Sequence, residues 1–194
     1  MRMYHQYLSS GRKGAFVTLT YSPKTVPVVL DDKGNVHGTL VKKDLQDYMK
    51  RFRFFCNTPF KYYMVGEYGS KNKRPHYHIC MFGITPDEWK IVSEFISCEN
   101  KQTCDIGFDK RWGKGLVSVS HDFGVEAGAY AAKYATKVIR ARGYSYFPRI
   151  APFQLQSLGI GKTYAEENAE EIKKNSIWFR AVSKKAYRGI TKKS

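Results

Sequence analysis

Two runs rich in strand-forming residues, 61–67 and 76–82, are separated only by the polar stretch 68–75, which holds Gly69, Ser70, Asn72 and three basic side chains. A parallel pair needs a crossover of a dozen residues or more, so a connection this short makes the two runs antiparallel neighbours. The remaining segments must be arranged around that pair. Residues 16–21, Phe-Val-Thr-Leu-Thr-Tyr, form an aromatic and β-branched run that stops at Ser22-Pro23 and reads as a central strand. Residues 26–40 hold two apolar pieces around Asp31-Asp32-Lys33-Gly34-Asn35, the pattern of a hairpin.

Helical periodicity fills the gaps. Between 42 and 55, Leu45, Tyr48, Met49, Phe52 and Phe55 recur at spacings of three and four among charged residues, which predicts an amphipathic helix. Thr85-Pro86-Asp87-Glu88 has the form of an N-cap with proline at the first helical position, and predicts a helix through Trp89, Val92 and Ile96. Residues 116–120 read as a strand and the alanine-rich 124–139 as a helix. Thr163-x-x-Glu166 has the form of a capping box for a helix to about residue 175. Strands and helices mixed in this order, without an internal repeat, predict one α+β domain on an antiparallel sheet over residues 1–175, with a basic C-terminal extension over 176–194.

The charge is unevenly placed. The 194 residues carry 33 Lys+Arg and 17 Asp+Glu, a formal +16, and residues 133–194 hold 14 of those bases against 4 acids. A basic surface so concentrated suits a polyanion, nucleic acid first, with a solvated tail as the bland alternative. With 42% hydrophobic residues, 12 Phe and 14 Tyr, the chain has ample material for a core. No apolar run approaches the roughly 20 residues that span a bilayer. Residues 1–14 are polar and lack the features of a signal peptide, so a cytosolic protein is expected. Cys56, Cys80, Cys98 and Cys104 show no C-x-x-C pair and are expected to be reduced.

Two constellations carry possible chemistry. In His76-Tyr77-His78 the alternation of a strand aims both imidazoles at one face. Glu67 closes the preceding strand, and antiparallel pairing brings its carboxylate to the same place unless the register slips by one. Two neutral nitrogens and a carboxylate leave positions open on a divalent metal. Mg²⁺ or Mn²⁺ acting on a phosphate fits the basic surface; Fe²⁺ in an oxygenase is the alternative for the same ligands.

In the second constellation Tyr130, Lys133, Tyr134 and Lys137 share one face of the predicted helix at offsets of three, four and seven, between small residues. A phenol can act as nucleophile on phosphorus, with a lysine neutralising developing charge. The ordinary reading of such a stripe is amphipathic packing.

Together these strings resemble a known family. Val65-Gly66-Glu67-Tyr68-Gly69, Arg74-Pro75-His76-Tyr77-His78 and Tyr130-x-x-Lys133-Tyr134 resemble the HUH endonucleases, in which U is a hydrophobic residue. The 16–21 strand, Asp44-Leu45-Gln46, residues 74–82 and Ser157-Leu158-Gly159-Ile160-Gly161 are similar to the replication initiators of small single-stranded DNA phages of the microvirus group, especially the gokushovirus type. The resemblance implies a palm of about five antiparallel strands with flanking helices, His76, His78 and Glu67 as metal ligands, and Tyr130 and Tyr134 as alternating nucleophiles beside Lys133. It implies nicking of single-stranded or extruded origin DNA through a 5′-phosphotyrosine, in the cytoplasm of an infected bacterial host. Host polymerase and helicase are implied partners, since the chain has no G-x-x-x-x-G-K-[ST] loop. Lys137, Arg74 and Lys73 are candidate DNA contacts or solvated charges, Tyr77 is expected to pack away from the metal, and Thr18 and Thr20 read as sheet structure. A plasmid initiator, relaxase or transposase would share this core, and a non-catalytic single-strand-binding module is the rival from another class.

Overall fold

The computed structural model describes residues 2–56, 58–85, 88, 93–96, 104–120 and 145–174. The elements in chain order are α1 (Arg2–Ser9), β1 (Gly14–Thr20), β2 (Val28–Leu30), β3 (Val36–Gly38), α2 (Lys42–Phe55), β4 (Lys61–Tyr68), β5 (Pro75–Phe82), β6 (Ser93–Ile96), β7 (Cys104–Asp109), β8 (Leu116–Ser120), β9 (Phe153–Gln156) and α3 (Lys162–Glu167). Seven strands form one sheet in the order β6-β7-β8-β1-β5-β4-β9, and every pairing is antiparallel. β2 and β3 make a separate ribbon whose turn is closed by Asp31, which accepts hydrogen bonds from the Lys33 and Asn35 backbone N–H groups.

The α+β expectation is met, with seven strands among the described residues where about five were expected. The extra ones are short edge strands of four residues, β6 and β9, too brief for a periodic signal. β6 also corrects the helix expected through Ile96, because Ser93–Ile96 pairs with β7. β7 escaped notice because its pattern is inverted: Phe108 is exposed, while Asp109 is buried by its ion pair with Arg111 (2.9 Å). The capping box is a second correction. α3 starts at Lys162 behind Gly161, which sits at φ +70°, so Thr163 lies inside the helix and caps nothing. The polar N-terminal segment, given no element above, forms α1. The helix expected over 124–139 and the extension over 176–194 lie outside the described residues.

The pleat gives the sheet two different faces. Val17, Leu19, Ile79, Met81, Val117 and Val119 turn to one side and bury against Leu45, Tyr48, Met49 and Phe52 of α2. This is the main core. Tyr77 belongs to it, fully buried, with its ring edge-on to Trp112. Its hydroxyl accepts the Val41 N–H (2.8 Å) and lies 2.7 Å from the Tyr21 hydroxyl, which donates to Asp44 (2.8 Å). Val41 is the N-cap of α2 and offers the helix no side-chain cap, so the strand's tyrosine fastens the helix start to the sheet. Tyr77→Phe keeps the ring and strands these polar groups. A loss of about 1–3 kcal/mol in urea unfolding is expected, and an unchanged midpoint would show that solvent replaces the hydroxyl.

The glycine of Val65-Gly66-Glu67 also has a packing reason. A Cβ on Gly66 would lie 3.1 Å from the Phe153 ring and 3.2 Å from Leu40, so a side chain there would push β9 off the sheet edge. On the opposite face a smaller cluster, Tyr63, Val65, Cys80, Phe82 and Ile160, packs with Met3 and Tyr7 of α1. α1 is tied to the start of α3 where Gln6 Oε1 accepts the Gly161 N–H (3.0 Å) and His5 stacks on Tyr164. Further along this same face, toward the β4–β5 loop, lie the histidines.

Candidate metal centre

β5 lies between β4 and β1, so each histidine has a neighbour on both sides. Glu67 stands directly opposite His76, and Thr18 directly opposite His78. The register therefore took the option that turns Glu67 toward the histidines. Its Oε1 lies 3.2 Å from His76 Nε2 and 3.5 Å from His78 Nε2. The two rings meet edge to face at 4.8 Å.

The surroundings select which nitrogen is offered. His76 Nδ1 lies 3.0 Å from the Arg74 carbonyl, which can only accept, so Nδ1 carries the proton and Nε2 is the free donor atom. The same carbonyl accepts the Gly69 N–H (3.0 Å), which ties the loop between β4 and β5 to the histidine. His78 Nδ1 lies 3.0 Å from Thr18 Oγ1, and its ring stacks on Phe16 at 5.4 Å and 18°. Glu67 and His78 are buried and His76 is partly open.

Ligand atoms of Glu67, His76 and His78 all lie within 4.8 Å of one another, the one such cluster among the described residues. Six-coordinate Mg²⁺ with bonds of about 2.1 Å places adjacent ligand atoms about 3 Å apart, close to the carboxylate–imidazole separations here. The donor set thus fits a divalent ion, and two imidazoles with one carboxylate leave positions for water or a substrate oxygen. Cys80 shares this face one pleat from His78, but burial pushes its thiol up to about 12, so it stays protonated at neutral pH and is no ligand.

Of the other candidates, Lys73 is exposed in the β4–β5 loop at φ +48°, and Arg74 donates from its guanidinium to the Tyr21 carbonyl. Tyr130, Lys133, Tyr134 and Lys137 lie outside the described residues. Thr18 and Phe16 are contacts that the strand reading missed. The signal was present in principle, since both alternate with Val17 and so share a face, but choosing that face required the pairing of β1 with β5.

An antiparallel α+β palm of the HUH/RRM-like kind, with two histidines on a central strand and a carboxylate on its neighbour, defines the class. The chain belongs to the replication-associated protein ORF2 family, whose model matches residues 14–139. It is 29% identical over 166 residues to the replication-associated protein ORF2 of Spiroplasma virus 4, covering 86% of this chain and 51% of that protein. It is 28% identical over 185 residues to the replication-associated protein VP4 of Bdellovibrio phage phiMH2K, covering 88% of this chain and 53% of that one. The chain thus spans about half the length of the curated relatives it matches. No solved structure matches it significantly. No helix among the described residues is long and apolar enough to cross a membrane.

Proposed function

We propose that the protein is a metal-dependent single-strand DNA endonuclease and strand transferase that initiates rolling-circle replication of a small single-stranded DNA phage genome. The observation that carries this reading is the Glu67–His76–His78 cluster, a buried carboxylate shared by two imidazoles on adjacent central strands. Membership of a replication-associated family supports it, and the matched range includes every candidate site residue from Glu67 to Lys137. Mg²⁺ or Mn²⁺ held by the cluster would polarise a non-bridging oxygen of the scissile phosphodiester.

Tyr130 or Tyr134 attacks the phosphorus through its phenolic oxygen. The phenolic proton is lost to water, the P–O3′ bond breaks, and O3′ takes up a proton, leaving a 5′-phosphotyrosine and a free 3′-OH. Lys133 neutralises charge at the transferring phosphate. Lys137, Lys73 and Arg74 hold flanking phosphates, which position the strand without reading its sequence. The second tyrosine then attacks after one round and releases the first. Host polymerase extends the 3′-OH and a host helicase opens the duplex, in the cytoplasm of the infected bacterium.

The test uses pooled single-stranded and stem-loop oligonucleotides with Mn²⁺ or with EDTA, resolved on denaturing gels. The expected result is a gel-stable protein–DNA adduct in Mn²⁺ that disappears in EDTA. Tight binding to stem-loop DNA with no cleavage in either condition would replace the nickase with a binding module.

A further inference from the structure

The two histidines are held in chemically different ways. His76 Nδ1 faces a main-chain carbonyl, which no substitution of a neighbouring side chain removes. His78 Nδ1 instead faces the hydroxyl of Thr18 at 3.0 Å, and Phe16 covers its ring at 18° from parallel. Phe16 and Thr18 are two apart on β1 and therefore share the face that meets His78.

We infer that Thr18 is a positioning residue of the metal centre: its hydroxyl accepts the Nδ1–H of His78, and so presents the Nε2 lone pair beside Glu67. The inference rests on the metal-site reading above and adds to it a role for β1. An imidazole can ligate through Nε2 only when its remaining proton is on Nδ1. In a site this closed to solvent, an Nδ1–H without an acceptor is disfavoured, and the ring then keeps its proton on Nε2, the atom the metal needs. The Phe16 stack limits rotation of the ring about its own bond to Cβ, so that His78 cannot turn to find another acceptor. Threonine suits the position because its branched Cβ restricts χ1 and holds the oxygen in place.

A hydroxyl also does what the carbonyl at His76 cannot. It can donate to Nδ1 while Nε2–H faces Glu67 Oε1, 3.5 Å away, and accept from Nδ1–H once Nε2 has become a ligand. Only a rotation of the Thr18 O–H bond separates the two arrangements. The chelate is thus built from one histidine with a fixed tautomer and one whose tautomer follows the metal.

The experiment titrates Mn²⁺ into the full chain without DNA, reading free Mn²⁺ by electron paramagnetic resonance, with urea unfolding midpoints measured alongside. Thr18→Val keeps the shape and removes the acceptor, and should weaken Mn²⁺ binding by about 10- to 100-fold, the range typical of outer-shell partners. Thr18→Ser should retain near wild-type affinity. Thr20→Val, two residues along on the same face and opposite His76, should leave it unchanged. Wild-type affinity in Thr18→Val overturns the inference and leaves the metal site standing. Equal loss in Thr18→Val and Thr18→Ser, with lowered unfolding midpoints, also overturns it by showing that β1 packing is what matters. If wild type binds no Mn²⁺ that His76→Ala removes, the metal-site reading itself fails and this inference with it.

Discussion

Replacing both Tyr130 and Tyr134 by phenylalanine should abolish the covalent protein–DNA adduct, a loss of at least about 10³-fold, while each single replacement leaves an adduct detectable. Phenylalanine keeps the ring and loses only the nucleophilic oxygen, so folding and DNA affinity should be retained. The two residues lie four apart in an alanine-rich segment, a spacing that puts both phenols on one helical face within reach of one phosphate. The four proteins are compared by denaturing gel in Mn²⁺ with one cleaved oligonucleotide. If only one single variant loses the adduct, that tyrosine is the first nucleophile and its partner acts only in the return step. An adduct that persists in the double variant would sink the tyrosine mechanism and send the search to another hydroxyl.

The second large effect is at the metal ligands. His76→Ala or His78→Ala should reduce cleavage by at least about 10³-fold, because each removes one of three donor atoms and weakens the pull on the scissile phosphate. Affinity for single-stranded DNA should change little, since it comes from many phosphate contacts on a chain of formal charge +16. Fluorescence anisotropy at several salt concentrations checks this, and the slope of affinity against salt should match wild type. His76→Ala is the cleaner variant: His76 is partly open, whereas His78 is buried against Phe16. Glu67→Gln adds a third arm that keeps the shape and removes the charge. Parallel loss of binding and cleavage in a folded variant would mean that the histidines contact DNA directly.

How much of this was legible depended on how local the signal was. α2 was expected over 42–55 and is found over Lys42–Phe55, because one helix writes its buried face into its own sequence at spacings of three and four. β4 and β5 were legible as an antiparallel pair because the loop between them is short. Tyr77 was expected to point away from the histidines, and strand alternation makes it do so. The misses share a different cause. β7 buries Asp109 and exposes Phe108, an inversion explained only by Arg111 two residues later and by the α2 ring of Phe52 beneath its guanidinium. β6 and β9 are edge strands whose few residues acquire meaning only from a partner.

The candidate site divides along the same line. By itself the sequence determined that His76 and His78 share a face, that Tyr77 faces the other way, and that a carboxylate lies one short loop away, because these follow from the two-residue period of a strand. Tertiary structure alone decided that Glu67 stands opposite His76 rather than one residue out of step, that β1 is the other neighbour of β5, and that Thr18 meets His78 Nδ1. The period of a strand records which side chains travel together. Register between strands 9 and 60 residues apart is set by which pairing buries the apolar face against α2, a comparison made over the whole sheet at once.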